Sequence, residues 1–522
     1  MKLLFYLIRH IIPIGFIAGA GIFVFNSAAP SSSSLIEGIG VDLMTSPPLS
    51  MEAVDSQLNA IQQAGIKYVR IEMDWSSIET SPDVYNWSAA LPLDLFFSSA
   101  KAREITTVAV LTGGPVYLST SGNAIDQKVL GERWEKFIQA AVGHFGEQID
   151  IWEIGYQVNS SSGLSAFLFP STPDAWTQPD PILYSKMLRA ASKIIKNVDP
   201  NDEVWIGSLV STTAGNCGMN PLTFLLEVNG AKGWNAADAV SYQPGRGGAA
   251  PEMPSASTTN QACGSSLPVN PANLSAEVQS LQELSRQLGG KPVYITGLTW
   301  SQEELHALHA NRSIEIGQLE SDLLVRASIV LMGNNAIPLV FWQIDPVSQW
   351  YAKAAMTNLS ALLFNAKSIG QVQGQTGSVQ EYRFQKAGGI KIFAWRTQDG
   401  DTPQPVNLTN LNASALTAFS TDSANLSNEF GTQITVDGFG NAIIMLNERP
   451  VVFVGKSGGW DAQIKQLISD QTELWRIEFQ KSIDHWLNDQ KAAFLRMLEV
   501  QFNKAKDSAV DWGEQKIDEL LH

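Results

Sequence analysis

Between residues 36 and 363, short apolar runs rich in Val, Ile and Leu alternate with stretches of helical periodicity, and the pair recurs eight times. Strands are predicted at 36–43, 66–73, 106–111, 149–154, 204–210, 239–242, 293–296 and 336–342. Helices are predicted at 51–64, 91–102, 129–145, 180–197, 221–228, 274–288 and 319–332, and the run 357–363 ends this part of the chain. A strand followed by a helix returns parallel to itself, and eight such units are the number that closes a (β/α)8 barrel. An open doubly wound sheet is the competing arrangement, but no glycine-rich phosphate loop follows the first strand.

The chain has 522 residues, more than one ordinary domain uses. Past residue 365 the texture changes. Residues 369–457 hold β-branched or alternating runs at 379–384, 390–395, 432–436, 442–446 and 451–454, separated by Gly, Asn and Asp, which reads as a small antiparallel β domain. Gly458-Gly459 then opens a segment with no proline and one glycine, Gly513. Its apolar residues, from Ile464, Ile468, Trp475 and Phe479 to Trp512, recur mostly at spacings of three, four or seven. That is one face of a long helix or helical hairpin, about 90 Å long if continuous at 1.5 Å per residue. Such a stripe needs a partner: another copy, another protein, or the barrel itself.

The expected organisation is therefore residues 1–30 as a transmembrane signal anchor or signal peptide, 31–365 as the barrel, 366–457 as the β domain and 460–522 as a helical interaction segment. The fold class is α/β: a (β/α)8 TIM barrel with an appended antiparallel β domain, an N-terminal membrane anchor and a long C-terminal helical extension. Residues 11–25 carry no charge and follow Lys2, Arg9 and His10, while the next positive charge is Lys67. With the apolar positions from residue 3 onward this makes a short anchor over 3–25 with its N-terminus inside. Ser27-Ala28-Ala29 leaves a cleaved signal peptide as the alternative. The expected location is the cell membrane, single-pass, with the bulk of the chain extracytoplasmic; the alternative is secretion.

A net charge of -16, with no basic patch, excludes nucleic acid as a partner. The apolar share of 44%, with 15 Trp and 22 Phe, supports a large packed core and not a disordered chain. The two cysteines, Cys217 and Cys263, lie in Gly/Asn/Ser-rich loops, where an extracytoplasmic compartment permits a disulfide, with two separate thiols as the alternative. The six His are scattered, so no metal site and no cofactor is expected.

Several stretches carry a family resemblance. Lys67-Tyr-Val-Arg70-Ile with Trp75 and Asp83-Val-Tyr-Asn-Trp87 looks like a second strand and its loop. Trp152-Glu-Ile-Gly-Tyr-Gln-Val-Asn159 looks like the fourth-strand motif W-E-I-W-N-E-P-N. Asp238-Ala-Val-Ser-Tyr-Gln-Pro244 looks like the sixth-strand D-A-V-S-x-H-P, and Lys291-Pro-Val-Tyr-Ile-Thr-Gly-Leu-Thr-Trp300 like the seventh-strand K-P-[IV]-x-[IV]-T-E-x-G-W. Over roughly residues 36–457 the sequence thus resembles the clan A glycoside hydrolases, most like family 39 and family 5. The resemblance implies that Gln157 occupies the acid/base glutamate position, Gly297 the nucleophile position and Gln243 the strand-six histidine position.

Retaining glycoside hydrolysis needs one carboxyl to protonate the leaving oxygen and another, about 5 Å away, to attack the anomeric carbon. A glutamine amide has no titratable proton near neutral pH, and glycine offers no nucleophile. No catalytic residue is therefore assigned at those positions. Glu72, Asp74 and Asp345, near predicted strand ends, are the fallback carboxylates, with Asp42 and Glu79 as further acidic neighbours; the bland reading makes Glu72 and Asp74 cleft-wall or loop-capping groups, Asp42 a rim hydrogen-bond acceptor and Glu79 the start of a helix. Arg70, Trp75, Tyr156, Gln157, Tyr242, Gln243, Trp300 and Trp342 are the candidate substrate-binding residues, aromatic faces for sugar rings with polar partners beside them. The expected function is a membrane-tethered extracytoplasmic glycoside-hydrolase-like protein without catalysis, serving as a scaffold or glycan-binding subunit. The alternatives are an active O-glycosyl hydrolase of a β-linked polysaccharide using non-standard carboxylates, and a purely structural subunit of a membrane complex. Expected partners are a polysaccharide or oligosaccharide, a protein or second copy through residues 460–522, and the membrane through residues 3–25.

Overall fold

The computed structural model describes residues 37–456, apart from 44–49, 89, 119–126, 161–178, 212–217, 247, 255–271, 311, 373–377, 387–388, 398–401, 412, 424–425 and 427–430. All of these belong to one compact unit, Leu35–His522. In chain order its first half runs β1 (Gly38–Asp42), α1 (Met51–Gln63), β2 (Tyr68–Asp74), α2 (Trp75–Ile78), β3 (Glu79–Ser81), β4 (Val84–Tyr85), α3 (Leu91–Ala102), β5 (Thr106–Thr112), α4 (Gln127–Phe145), β6 (Ile151–Ile154), α5 (Pro181–Val198) and β7 (Glu203–Val210). It continues with α6 (Pro221–Gly230), β8 (Ala239–Gln243), α7 (Leu274–Gln287), β9 (Val293–Leu298), α8 (Gln302–His309), α9 (Ile316–Asn334), β10 (Leu339–Trp342) and α10 (Trp350–Leu363).

Eight of these strands close a barrel in the order β1-β10-β9-β8-β7-β6-β5-β2, every pair parallel. The eight predicted strand positions are the eight barrel strands, with ends moved by a few residues. Helix starts follow local chemistry. Ser50 caps α1 by accepting from Ala53 N–H, and Asp180 caps α5 by accepting from Ile182 and Leu183 N–H, with Pro181 at the first helical position. Ser301 and Glu304 form a reciprocal capping box on α8, a helix the hydrophobic pattern does not announce. The hairpin β3–β4 also departs from expectation: Glu79 opens a strand and not a helix, because its buried carboxylate is held by Trp75 Nε1 at 2.6 Å and Tyr117 OH at 2.7 Å.

The β region is β11 (Lys367–Gln371), β12 (Val379–Lys386), β13 (Gly389–Arg396), β14 (Gln404–Leu408), β15 (Ala415–Ser420), β16 (Thr432–Thr435), β17 (Ala442–Leu446) and β18 (Val451–Lys456). They form a six-stranded sheet, β11-β12-β13-β18-β15-β16, and a two-stranded one, β14-β17. Pairing within both is antiparallel. One face of the larger sheet joins the barrel core: Tyr382, Phe384, Phe393, Trp395, Phe419 and Val452 belong to the same buried cluster as the barrel strands and helices. Helix α9 lies between, buried along Leu319–Gly333, which is why its sequence is apolar nearly all round and weakly amphipathic. Arg449 bridges from the β17–β18 turn to Asp322 of α9 and to Asp422, and Arg326 of α9 pairs with Glu252.

The membrane anchor is corrected here. Among the described residues no helix is long and apolar enough to cross a membrane. Residues 3–25, where the anchor was expected, lie outside the described residues. The single-pass arrangement, the membrane partner and the tethered function therefore drop out of the reading. The helical segment 460–522, Cys217 and Cys263 also lie outside the described residues.

Candidate functional site

Side chains alternate across a strand, so every second residue of a barrel strand points inward. The bottom of the interior is apolar, with Val108, Ile151, Trp205, Ala239, Leu339 and Phe341 packed together. Above this layer the interior turns ionic. Arg70 of β2, fully buried, reaches Glu153 of β6 with two bonds of 2.8 Å and Asp42 of β1 at 3.0 Å. Burial alone would lower the Arg70 pKa, but the Asp42 and Glu153 carboxylates outweigh it and hold it above its ordinary value. Two carboxylates thus face one guanidinium.

The plug is wired to the mouth above it. Ser208 N–H donates to Glu153 Oε1 at 2.8 Å, and the Ser208 hydroxyl accepts from Gln157 N–H at 3.1 Å. Ser208 sits where the β7–β8 register shifts, between Ile206 and Leu209, and the apolar pattern of β7 gives no hint of its role. Gln157 follows the end of β6 with φ 48°, a left-handed conformation costly for any residue with a side chain, reached through Gly155 at φ 85°. A Cβ on Gly155 would meet Val158 Cγ1 at 2.6 Å, so the turn has room only for glycine. Gln157 Nε2 donates to Tyr156 OH at 3.0 Å and to Gln243 Oε1 at 3.4 Å. The Tyr156 ring lies 5.7 Å from the Arg70 guanidinium, and burial pushes its hydroxyl pKa up against the opposing pull of that charge.

Gln243, the last residue of β8, is 7% exposed, and its Nε2 makes no hydrogen bond among the described residues. That amide lies against Gly297 of β9: a Cβ there would stand 2.5 Å from Gln243 Nε2 and 2.8 Å from its Cδ. Gln157, Gln243 and Gly297, singled out separately in the sequence, thus meet at the carboxyl ends of three barrel strands.

The remaining candidates separate. Arg70 is the centre of the plug. Trp75 is buried against Phe137 with ring centroids 5.0 Å apart. Trp342 donates to Ser328 of α9 at 2.8 Å, and Trp300 to the Ala249 carbonyl at 3.1 Å, both buried. The Tyr242 hydroxyl is buried with Ser211 and Glu277. These four rings present no face to solvent. Among the fallback carboxylates, Asp74 is occupied by Ser76 N–H and hydroxyl, and Asp345 by Val347 N–H and the Ser348 hydroxyl. Glu72 is different: half-buried on the Arg70 face of β2 and one step nearer the mouth, it accepts only from Thr112 Oγ1, at 2.6 Å, among the described residues. An exposed indole that the sequence pattern did not single out, Trp350, opens α10 just beyond β10 and is 59% exposed. Among the described residues no group of His, Cys, Asp and Glu is arranged to hold a metal ion.

No family model matches the sequence, and no curated protein is similar to it. Solved structures are similar in fold. A family 39 glycoside hydrolase from Bacteroides cellulosilyticus WH2 superposes with a TM-score of 0.58 at 15% identity, covering 81% of this chain and 82% of that one. A family 30 subfamily 8 xylanase from Clostridium acetobutylicum gives 0.53 at 12% identity, covering 81% and 97%. A GH30 endoxylanase from Clostridium papyrosolvens C71 gives 0.51 at 13% identity with the same coverage, 81% and 97%. This chain has a (β/α)8 barrel of the fold seen in these glycoside hydrolases.

Proposed function

We propose that this protein takes a β-linked glycan into the mouth of its barrel and acts on it as an O-glycosyl hydrolase with a carboxylate outside the usual pair, Glu72. The observation that carries this reading is the contrast at the strand ends. Positions 157 and 297, which resemble the acid/base and nucleophile positions, hold an amide and no side chain, while the carboxylate two residues above Arg70 keeps one oxygen uncommitted among the described residues. Binding in the mouth fits the general placement of sites in such barrels, at the carboxyl ends of the strands. In this role Glu72 acts as general base on a water that attacks the anomeric carbon as the glycosidic C–O bond breaks, an inverting displacement without a covalent intermediate in which the departing oxygen takes its proton from a solvent water. Thr112 holds the carboxylate in place while its second oxygen takes the proton of the water.

Recognition without bond cleavage is a second reading, favoured by the amide pair Gln157–Gln243, which supplies hydrogen bonds and no proton-transfer group. One experiment separates the two. The full chain and its Glu72→Gln variant are titrated calorimetrically with β-linked oligosaccharides, and reducing ends are measured on the same samples. Turnover that disappears in Glu72→Gln supports hydrolysis. Binding with no turnover overturns the hydrolytic reading in favour of recognition, and neither signal overturns both.

A further inference from the structure

At the end of the barrel opposite the mouth, an open cavity of about 640 Å³ lies where α3, α4 and α5 finish and β6 and β7 begin. That volume falls within the range of small-molecule sites, roughly 300–1,000 Å³. Its charged lining is Glu147, Asp150, Asp199 and Asp202 against one lysine, Lys101. Lys101 is already committed, its ammonium donating to the Glu147 carbonyl. The cations close by are paired elsewhere, Lys196 with Asp238 at 2.9 Å and Arg103 with Asp55 at 2.7 Å. Helix carboxyl ends carry partial negative charge and favour cations, so four acids beside three such ends oppose the local field. Asp199 even stands at the cap of α5.

The least exposed of the four acids is not satisfied. Asp202 is only 4% exposed. Its Oδ2 accepts from Trp152 Nε1 at 3.1 Å, while Oδ1 accepts no hydrogen bond among the described residues. Gln148 Oε1, in the same lining, is buried and also without a partner there. The bond to Trp152 needs an acceptor at 202 but no charge, so the ionised carboxylate is left unexplained by the scaffold. Burial pushes this carboxyl up to about 6, and Asp199 and Asp150 add to the rise against the pull of Trp152 and Lys196. A buried acceptor left unpaired is costly, and an ammonium donating to it forms one of the stronger hydrogen bonds. We propose that this cavity binds a small organic polyamine, with one ammonium on Asp202 and Gln148 and another at the exposed carboxylates of Asp150 and Glu147. A bare metal ion is the poorer fit, because among the described residues no group of acids is arranged around one point. The site shares no residue with the mouth and stands apart from the glycan reading.

The test titrates the full chain calorimetrically with spermidine at slightly alkaline pH, where the carboxylates and the amines are both charged. Spermidine should bind at a single site, and n-butylamine, with one ammonium, about tenfold more weakly. Magnesium chloride at equal ionic strength should not displace it. Asp202→Asn, whose amide oxygen can still accept from Trp152, should melt no lower than the parent and bind spermidine about tenfold more weakly. Asp150→Asn, at an exposed position, should weaken binding about threefold. Glu52→Gln, an exposed acid opening α1 at the mouth end, should change nothing. If Asp202→Asn melts lower, the Asp150→Asn result decides alone. No binding, binding unchanged in the variants at 202 and 150, or butylamine binding as tightly as spermidine overturns the proposal. Displacement by magnesium also overturns it, because the attraction would then belong to the general field of an acidic protein.

Discussion

Gln243 and Gly297 share one volume: the amide of the first lies where the side chain of the second would begin, 2.5 Å from the position a Cβ would take. Adding a carboxylate at 297 is therefore a packing problem before it is a catalytic one. Gly297→Glu alone should force Gln243 out of its rotamer and destabilise the protein by about 1–3 kcal/mol. Gly297→Glu with Gln243→Ala should recover most of that loss, because the second change empties the space. Urea unfolding of the two variants and the parent checks it; equal losses in both would mean that the two positions do not compete.

The same relationship sets the order in which the paired-carboxylate route would have to be engineered. In a Glu72→Gln background, which removes the proposed native base, Gln157→Glu and Gly297→Glu together should give no turnover of an aryl β-glycoside while Gln243 keeps its side chain. Adding Gln243→Ala should let the second carboxylate enter and turnover appear, since the paired carboxyl mechanism needs both groups about 5 Å apart across the bond. Release of the aryl alcohol by the double variant as fast as by the triple would show that Gln243 is no obstacle.

Arg70 answers to two buried carboxylates at once, Asp42 and Glu153. Arg70→Met leaves both without their cation in the barrel interior, and removing one partner from a buried ionic network costs about 3–5 kcal/mol. Arg70→Lys should recover only part, because a single ammonium cannot reproduce the bidentate contact to Glu153. Chemical denaturation of the three proteins measures this, and a loss below about 1 kcal/mol in Arg70→Met would show that the network is not what holds the interior together.

How much of this was legible in the sequence follows from the physics of a parallel barrel. The period was legible, because eight apolar runs separated by helical stretches admit few other closures. The phase was not. Strands covered on both faces read as continuous apolar runs, so nothing distinguishes the inward residue from its outward neighbour. Gln243 and Tyr242 are adjacent in β8, yet one faces the mouth and the other is buried toward α7 with Glu277. Trp75 and Trp342 lie at strand ends and look like sugar platforms, but they face the surrounding helices. Trp350, in a polar stretch with no period, gave no signal beyond being an indole after the eighth strand. The sheet strands at 367–371, 404–408 and 415–420 were missed because they alternate weakly and carry Gly, Pro or Ser.

The clasp between the barrel and the sheet should respond to pH. Burial pushes the Asp322 carboxyl up to about 7, against the pull of Arg449, while its unfolded value is about 3.9. Between those values the folded state holds a proton the unfolded state has released, so stability should fall as pH rises from about 4 to about 7 and level off above. Asp422, beside the same arginine, is held below its ordinary value: burial, which raises it, is outweighed by Gln318, Ser420 and Arg449. Its contribution disappears only as pH falls below that range, so the two windows do not overlap. Asp322→Asn should flatten the slope between about pH 5 and 7. Calorimetric melting across that range decides it, and an unchanged slope would place the dependence elsewhere.

Gln157 holds a backbone conformation that glycine would adopt without strain, at φ 48°. Strain of this kind, worth of order 1 kcal/mol or more, persists where the surrounding structure or a function requires the side chain. Here the side chain joins Tyr156 and Gln243, and its backbone N–H is tied to Ser208 above the ionic plug. Replacing Gln157 with glycine keeps the turn and the N–H bond, relieves the strain and deletes the amide. If the amide is kept for packing, the loss of its two hydrogen bonds should outweigh the relief and the variant should melt lower. If it is kept for a ligand, the effects part: stability should hold or rise by up to about 1 kcal/mol, while affinity for a β-linked oligosaccharide falls about tenfold. Melting and titration on the same preparation read both signs, and a variant that loses stability while binding as well as the parent would assign Gln157 to the scaffold.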